Sequence, residues 1–413
     1  MKKAKYLIIG AGISGLSFAF HKKNDDYIVL EKDKVCGGLA RSFFKDGFVW
    51  DVGGHFFHFH SDETKMHYER LMAGKHIRTV KKYAKVYYSD QFIDAPFQYN
   101  IHQLPTVEFI ECLTDLYYAD RPDGNLPFDE FVRRTYGKGI ADKFLIPYNE
   151  KLYACKMNEL ERDSMGNFLP TLDFGKLMNF YRGSKGKTYN DTFSYPVNGC
   201  VEIINSLVDY LDEERIHLNE EVEQIDVDQK VVHTSKDTYE YEYLINSCAL
   251  NQFVNFVGDY RASCLNYNQV LVLNLGFDKP SIDKKVSWVY FPGKELFYRI
   301  GFYNNIAGTD RLSLYAEISY KANERINIEE ALERTLIDLK RISVIDEHKL
   351  VAYEPYIINP AYVHITTIGK EYTAKFIDVM QGKDVHMIGR YARWEYSAMG
   401  DSMEQAKSLA EKI

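Results

Sequence analysis

The feature that most narrows what this chain can fold into is the run Gly10-Ala11-Gly12-Ile13-Ser14-Gly15, with an apolar stretch at 5–9 before it and a helical pattern at 16–21 after it. A strand, a glycine turn and a helix in that order form the start of a dinucleotide-binding βαβ unit. Gly10 permits the tight turn, Gly12 lets backbone approach a pyrophosphate, and Gly15 lets helix and strand pack closely. The helix start at Ile13 and Ser14 offers unpaired N–H groups and the positive end of a dipole. A second strand at 27–30 ends at Glu31-Lys32, and a carboxylate about 20 residues beyond the glycines is placed to accept from an adenosine ribose. Alone, the glycines would suit an ordinary turn in a parallel sheet; strand, helix, second strand and Glu31 together point to a dinucleotide.

Two further glycine pairs favour FAD over NAD. Gly37-Gly38-Leu39-Ala40-Arg41-Ser42 lies just past Glu31, and Asp51-Val52-Gly53-Gly54-His55 comes after a short hairpin-like stretch. Both resemble glycine pairs that large FAD-binding oxidases and mutases set against the flavin ribityl and pyrophosphate, where side chains would collide. Near the carboxyl end, 385–388 reads as a short strand leading to Gly389-Arg390, and Gly400-Asp401-Ser402-Met403 opens a last helix whose amides could face the flavin. Asp401 is equally a helix N-cap candidate. Between these ends, a helix is expected from Val197-Asn198-Gly199 to residue 210, and 216–218, 222–227 and 230–234 read as a strand meander.

A chain of 413 residues has the length for two or three lobes and a deep cleft between them. The expected fold class is α/β: a discontinuous Rossmann-like FAD-binding domain (1–75, 190–254 and 371–413), a helical lobe (101–189) and a mixed β-sheet substrate lobe (76–100 and 255–370). Helical spacing marks 109–118, 128–136 and 139–148, and strand-like alternation marks 269–277 and 312–319. No apolar run reaches the ~20 residues of a membrane helix, so no membrane span is expected. Two lysines running straight into a strand give no signal-peptide pattern, and a cytoplasmic protein is expected. A net charge of -8 argues against nucleic acid as a partner. Six scattered cysteines without a CxxC pair argue against zinc and a disulfide framework. The 32 tyrosines suit a pocket for sugars and diphosphates, offering a flat face and a neutral donor together.

More specific blocks carry a resemblance: Gly53-Gly54-His55-Phe56-Phe57-His58, Tyr136-Gly137-Lys138-Gly139 through Pro147-Tyr148-Asn149-Glu150-Lys151, Trp288-Val289-Tyr290-Phe291-Pro292 leading to Phe297-Tyr298-Arg299, and Gly389-Arg390-Tyr391 through Tyr396. Nearly end to end, the chain resembles UDP-galactopyranose mutases, within the amine-oxidase and protoporphyrinogen-oxidase-like flavoproteins. That resemblance implies an isomerase of cell-surface polysaccharide biosynthesis, active with reduced FAD. The flavin N5 attacks the anomeric carbon of a nucleotide sugar, UDP leaves, and the sugar ring opens and recloses between pyranose and furanose forms. A protein nucleophile is not needed. By the same resemblance His55 lies against the flavin, and Arg299, Tyr362 and Tyr396 hold the substrate diphosphate. Trp288 and Tyr290 line the pocket, Arg390 sits near flavin and leaving phosphate, and the backbone near Val222 runs beside the adenine. NAD(P)H or another reductant is an implied partner, and the oligomeric state is open, a homodimer included.

The chain departs from the family at one point. Mutases carry a second arginine just before the glycine-rich helix start, and here that stretch is Thr192-Phe193-Ser194-Tyr195-Pro196. Arg182 and Lys185 are the substitutes the sequence offers. Two other readings stay open: a flavin oxidoreductase acting on an amine, porphyrinogen or other substrate, and an FAD-binding protein without turnover.

Overall fold

The computed structural model describes every residue except 60, 121, 123, 125, 163, 166–168, 170–171, 184–190 and 260. The protein is α/β, with a Rossmann-like sheet assembled from distant segments, a helical lobe and a mixed sheet.

In the first sheet the strands run in the order Val222–Asp226, Val231–Thr234, Thr238–Asn246, Lys2–Ile9, Tyr27–Leu30 and Ile216–His217. Lys2–Ile9 is central and parallel to both neighbours. Val385–Met387 adds to Thr238–Asn246, also in parallel. Both faces of such a sheet are covered, which is why Tyr6, Leu7 and Ile8 are all fully buried. Helices Ile13–His21 and Met399–Lys412 pack together, bringing the two ends of the chain side by side.

The expected meander forms only in part. Val222–Asp226 and Val231–Thr234 are antiparallel neighbours, but Ile216–His217 lies at the opposite edge, parallel to Tyr27–Leu30. Residues 218–221 cross the strand ends instead of turning back, tied by Asn219 N to Asp33 O and Glu220 N to Glu31 O, at 3.0 and 2.8 Å.

A second sheet has the order Leu350–Ile358, Asn268–Phe277, Ser313–Lys321, Arg299–Phe302, Trp288–Tyr290, Ala84–Tyr88 and Gln91–Asp94. Its one parallel pair, Trp288–Tyr290 with Ala84–Tyr88, makes it mixed. All ten residues of Asn268–Phe277 are buried, as expected for a strand with partners on both edges and cover on both faces. Ile77–Lys81 does not join this sheet; it pairs with Thr192–Pro196 as a two-stranded ribbon.

Helices Thr106–Tyr117, Phe128–Tyr136 and Phe174–Tyr181 make up much of the helical lobe. The helix expected at 139–148 runs on to Tyr153 and carries a wide π-type turn at Ala141–Leu145. Such turns re-aim side chains and recur at functional sites; here Phe144, Leu145, Tyr148, Asn149 and Leu152 face one cavity. No helix among the described residues is long and apolar enough to cross a membrane.

Candidate active site

A cavity of about 1640 Å³ is lined by the carboxyl ends of first-sheet strands (Ile9, Leu30), by the second sheet (Trp288, Arg299, Glu317) and by the helical lobe (Phe144, Tyr148). Single-ligand sites usually occupy ~300–1,000 Å³. This one has room for a cofactor and a second ligand together.

Its first half is made mostly of backbone. At Gly12 an added Cβ would meet only Gly38 Cα, at 3.9 Å, and would otherwise project into open space. Gly12 and Gly37 are bridged in parallel fashion, so the wall is flat main chain. The helix Ile13–His21 starts here with no side-chain cap on its first amides, which leaves them for an anion. A second helix start, at Ala398, Met399 and Ser402, faces the same cavity. Glu31 is buried and accepts from Ala11 N at 2.8 Å and from Asp33 N at 2.9 Å. It braces the loop while lining the cavity with Lys32. Ser14, Gly38, Leu39, Ala40, Arg41 and Val222 complete this wall, with Arg41 held by Asp33. A flat glycine cradle, two helix starts and a buried carboxylate fit a dinucleotide phosphate and ribose.

Several residues expected beside the cofactor stand outside the cavity wall, each with a structural task. A Cβ on Gly15 would lie 2.0 Å from Gly10 O, so this glycine serves helix-on-strand packing. Gly53 backs onto Glu317, Gly389 onto Ser14, and Gly400 lies beside His58 O. Asp401 is not the N-cap; from the third helical position it accepts from Ala398 N at 2.7 Å. Met403 is a core residue packed with Ala406.

The second half is made of side chains. Trp288 Nε1 donates to Tyr290 Oη at 2.7 Å, and Phe56 stacks on Trp288 at 5.6 Å. Tyr290 faces Arg299 across the strand pair. Arg299 is held by Glu317 through two bonds, Nε to Oε2 at 2.5 Å and Nη2 to Oε1 at 2.8 Å. Glu317 is 3% exposed, so Arg299 enters the site with its charge already balanced by a buried carboxylate. Arg390 differs. It lies over Tyr396 at 4.3 Å and over Tyr362 at 5.4 Å, and its Nη1 donates to Ser397 O at 3.3 Å. Its buried Nε has no hydrogen-bond partner, and no carboxylate pairs with it among the described residues. Tyr362 and Tyr396 stack at 5.9 Å, and Tyr298 Oη contacts Tyr362 Oη at 3.5 Å.

Electrostatics set the protonation states. Burial pushes the phenols of Tyr148, Tyr298 and Tyr362 well above the usual tyrosine value, so they stay neutral donors. Burial lowers His55 to about 4, which leaves a neutral imidazole lining the cavity, its Nδ1 without a partner. Of the two substitutes for the absent arginine, Arg182 is exposed and does not line the cavity, and Lys185 lies outside the described residues. Sequence reasoning missed Glu317, whose signal was a lone carboxylate in the otherwise hydrophobic run Leu314-Tyr315-Ala316-Glu317-Ile318. It also missed Gln98 and Asn149, amides 2% and 1% exposed beside the stacked rings of Phe97, Phe144 and Tyr148.

The same architecture appears in solved structures. A reduced UDP-galactopyranose mutase superposes with a TM-score of 0.91 at 24% identity, covering 100% of this chain and 94% of that one. A putative protoporphyrinogen oxidase from Exiguobacterium sp. 255-15 gives 0.79 at 16% identity, over 100% and 98%. Putrescine oxidase bound to putrescine gives 0.66 at 15%, over 100% and 99%. At these identities the likeness shows the fold. In sequence, 53 residues are 49% identical to an uncharacterized protein from the nifH2 3' region of Methanothermococcus thermolithotrophicus, a match spanning 12% of this chain and 51% of that protein. The flavin-containing amine oxidoreductase model matches residues 13–411, most of the length, and the chain belongs to that family.

Proposed function

We propose that this flavoprotein is a nucleotide-sugar mutase that interconverts pyranose and furanose rings, with UDP-galactose or a related nucleotide sugar as substrate. The observation that carries the reading is Arg390: a half-buried guanidinium whose Nε is enclosed without a partner and that no carboxylate pairs with among the described residues, packed on the rings of Tyr362 and Tyr396 in a cavity shared with the dinucleotide cradle. An unbalanced buried cation is costly unless a ligand brings the anion. A diphosphate does so, and an amine substrate would not.

When bound, reduced FAD would supply the electron-rich centre at which the sugar's anomeric carbon is exchanged for the nucleotide. The chain's own residues do the rest. Arg390 balances the diphosphate charge as UDP departs and returns, and the hydroxyls of Tyr362 and Tyr396 donate to its oxygens. Arg299, oriented by Glu317, offers its remaining N–H groups. Gln98 and Asn149, beside stacked rings, suit a base. Trp288 and Phe56 shield the sugar from water, and neutral His55 is a hydrogen-bonding neighbour for the flavin rather than a cation. NAD(P)H or another reductant, a cytoplasmic setting and a homodimer belong to the same proposal.

The family and the oxidases of the same fold favour a second reading, an oxidoreductase on another substrate. The deciding experiment incubates dithionite-reduced and air-oxidised protein with UDP-galactofuranose and separates the products by chromatography. Pyranose product in the reduced sample alone supports the mutase; no conversion, with steady oxygen uptake on amines or porphyrinogens, overturns it in favour of the oxidoreductase.

A further inference from the structure

The cations of the second half of the cavity do not carry equal free charge. Arg299 is balanced by Glu317, and Arg390 stands without a carboxylate. A nucleotide sugar's diphosphate brings two negative charges, so one more uncompensated cation is wanted, and residues 192–196 contain none.

Thr192–Pro196 pairs antiparallel with Ile77–Lys81, Thr192 opposite Lys81. The ribbon is closed by Lys82 N donating to Asp191 O at 2.8 Å. The next residue but one, Ala84, is in register with Trp288, and Ser287 N donates to Tyr83 O at 2.7 Å. Lys82 is thereby fixed just ahead of the strand that pairs with Trp288, and it lines the cavity. No carboxylate lies within ion-pair distance of its ammonium among the described residues; Asp191 is the one acidic group that acts on it from further off. Lys85, three residues on, shows the ordinary alternative: it is paired with Asp283 at 3.4 Å. Burial lowers the Lys82 pKa, the mark of an ammonium poorly served by solvent.

Building on the nucleotide-sugar reading, we propose that Lys82 is a diphosphate-binding residue that supplies, from the partner strand of the ribbon, the positive charge absent from residues 192–196. The phosphates then lie between Lys82 and Arg390, with Trp288 forming the wall beside Lys82.

The test titrates flavin-loaded protein with UDP and with uridine, by calorimetry at low salt, for wild type, Lys82→Ala and Lys82→Arg. Losing a buried charged partner should weaken UDP binding roughly 30-fold or more in Lys82→Ala. Uridine affinity should be unchanged, and Lys82→Arg should stay close to wild type. Lys82→Ala binding UDP as tightly as wild type overturns the proposal and leaves the mutase reading standing. Equal losses for UDP and uridine overturn it too, by showing a role in shape rather than charge. Wild type that binds no UDP removes the nucleotide-sugar reading, and the proposal with it.

Discussion

The two halves of the cavity are built from different material. The dinucleotide half presents main chain: glycines, helix-start amides and one buried carboxylate that fixes a loop. The ligand half presents side chains: tyrosines, Trp288, and Arg299 and Arg390 in contrasting states, the first paired with a carboxylate and the second not. Main chain can be aimed by about twenty contiguous residues, whereas the ligand half collects side chains from segments as distant as Lys82 and Tyr396. The first half should therefore fail by exclusion and the second by imbalance of charge.

The largest effect separates packing from exclusion within one motif. Gly12→Val should fold, because the new branch enters open space, yet it should lose essentially all bound flavin, read as colourless protein with a native circular dichroism spectrum. Gly15→Ala places its Cβ 2.0 Å from a backbone oxygen and should lose flavin and fold together. A yellow Gly12→Val protein would break the exclusion argument.

Next comes the paired arginine. Glu317→Ala leaves the half-buried Arg299 guanidinium without its carboxylate, a change whose cost reaches ~3–5 kcal/mol for a fully buried pair and is smaller for one that water partly reaches. Its thermal midpoint should fall by many degrees, and added UDP should restore more of that loss than it adds to wild type, since a ligand stabilises by its differential affinity. Arg299→Ala alone would strand Glu317 in turn, so loss of binding in that variant would not isolate a ligand contact.

Arg390 should behave in the opposite way. Arg390→Met removes a desolvated charge that no carboxylate balances, so stability should hold or rise by up to ~1 kcal/mol while UDP binding weakens roughly 30-fold. Equal falls in stability and binding would mean that Arg390 is structural.

The legibility of the sequence respects the same division. Gly10 to Glu31 could be read directly because spacing along the chain is what a backbone cradle needs. Tyr362, Tyr396 and Arg390 were reached only through family resemblance, since a tyrosine's pattern does not say whether it faces core or cavity. The Arg299–Glu317 pair was invisible because it depends on register between neighbouring strands: Arg299 is aligned with Glu317, and no local pattern records that. Lys82 was hidden for a related reason. The ribbon of Ile77–Lys81 with Thr192–Pro196 joins segments over a hundred residues apart, and a reading along the chain looks for a substitute among the cations of the preceding loop, such as Arg182 and Lys185. Gly53 and Gly389 show the converse: glycines expected at a cofactor, whose missing side chains also make room for Glu317 and Ser14.

The smallest expected effect concerns pH. Burial lowers His21 and His55 to about 4 and lowers His67, His364 and His386 as well, against ~6.5 for an unfolded histidine. Between pH ~6.5 and about 4 the unfolded chain binds more protons at these sites, so stability is lost as pH falls through that window. Asp51 has the opposite sign. Enclosed with Ser42, Tyr195 and Cys200, it is pushed up to about 6 by burial, against ~3.9 unfolded, so its folded form holds the extra proton and it favours folding as pH falls. Five histidines outweigh one aspartate. Thermal midpoints measured from about pH 7 down to about pH 4 should decline by several degrees, His55→Gln should flatten the decline, and Asp51→Asn should steepen it. Because His55 is neutral across roughly pH 6–8, the turnover proposed above should show no inflection in that range that His55→Gln removes; one that vanished in the variant would mean the imidazole carries charge beside the flavin after all.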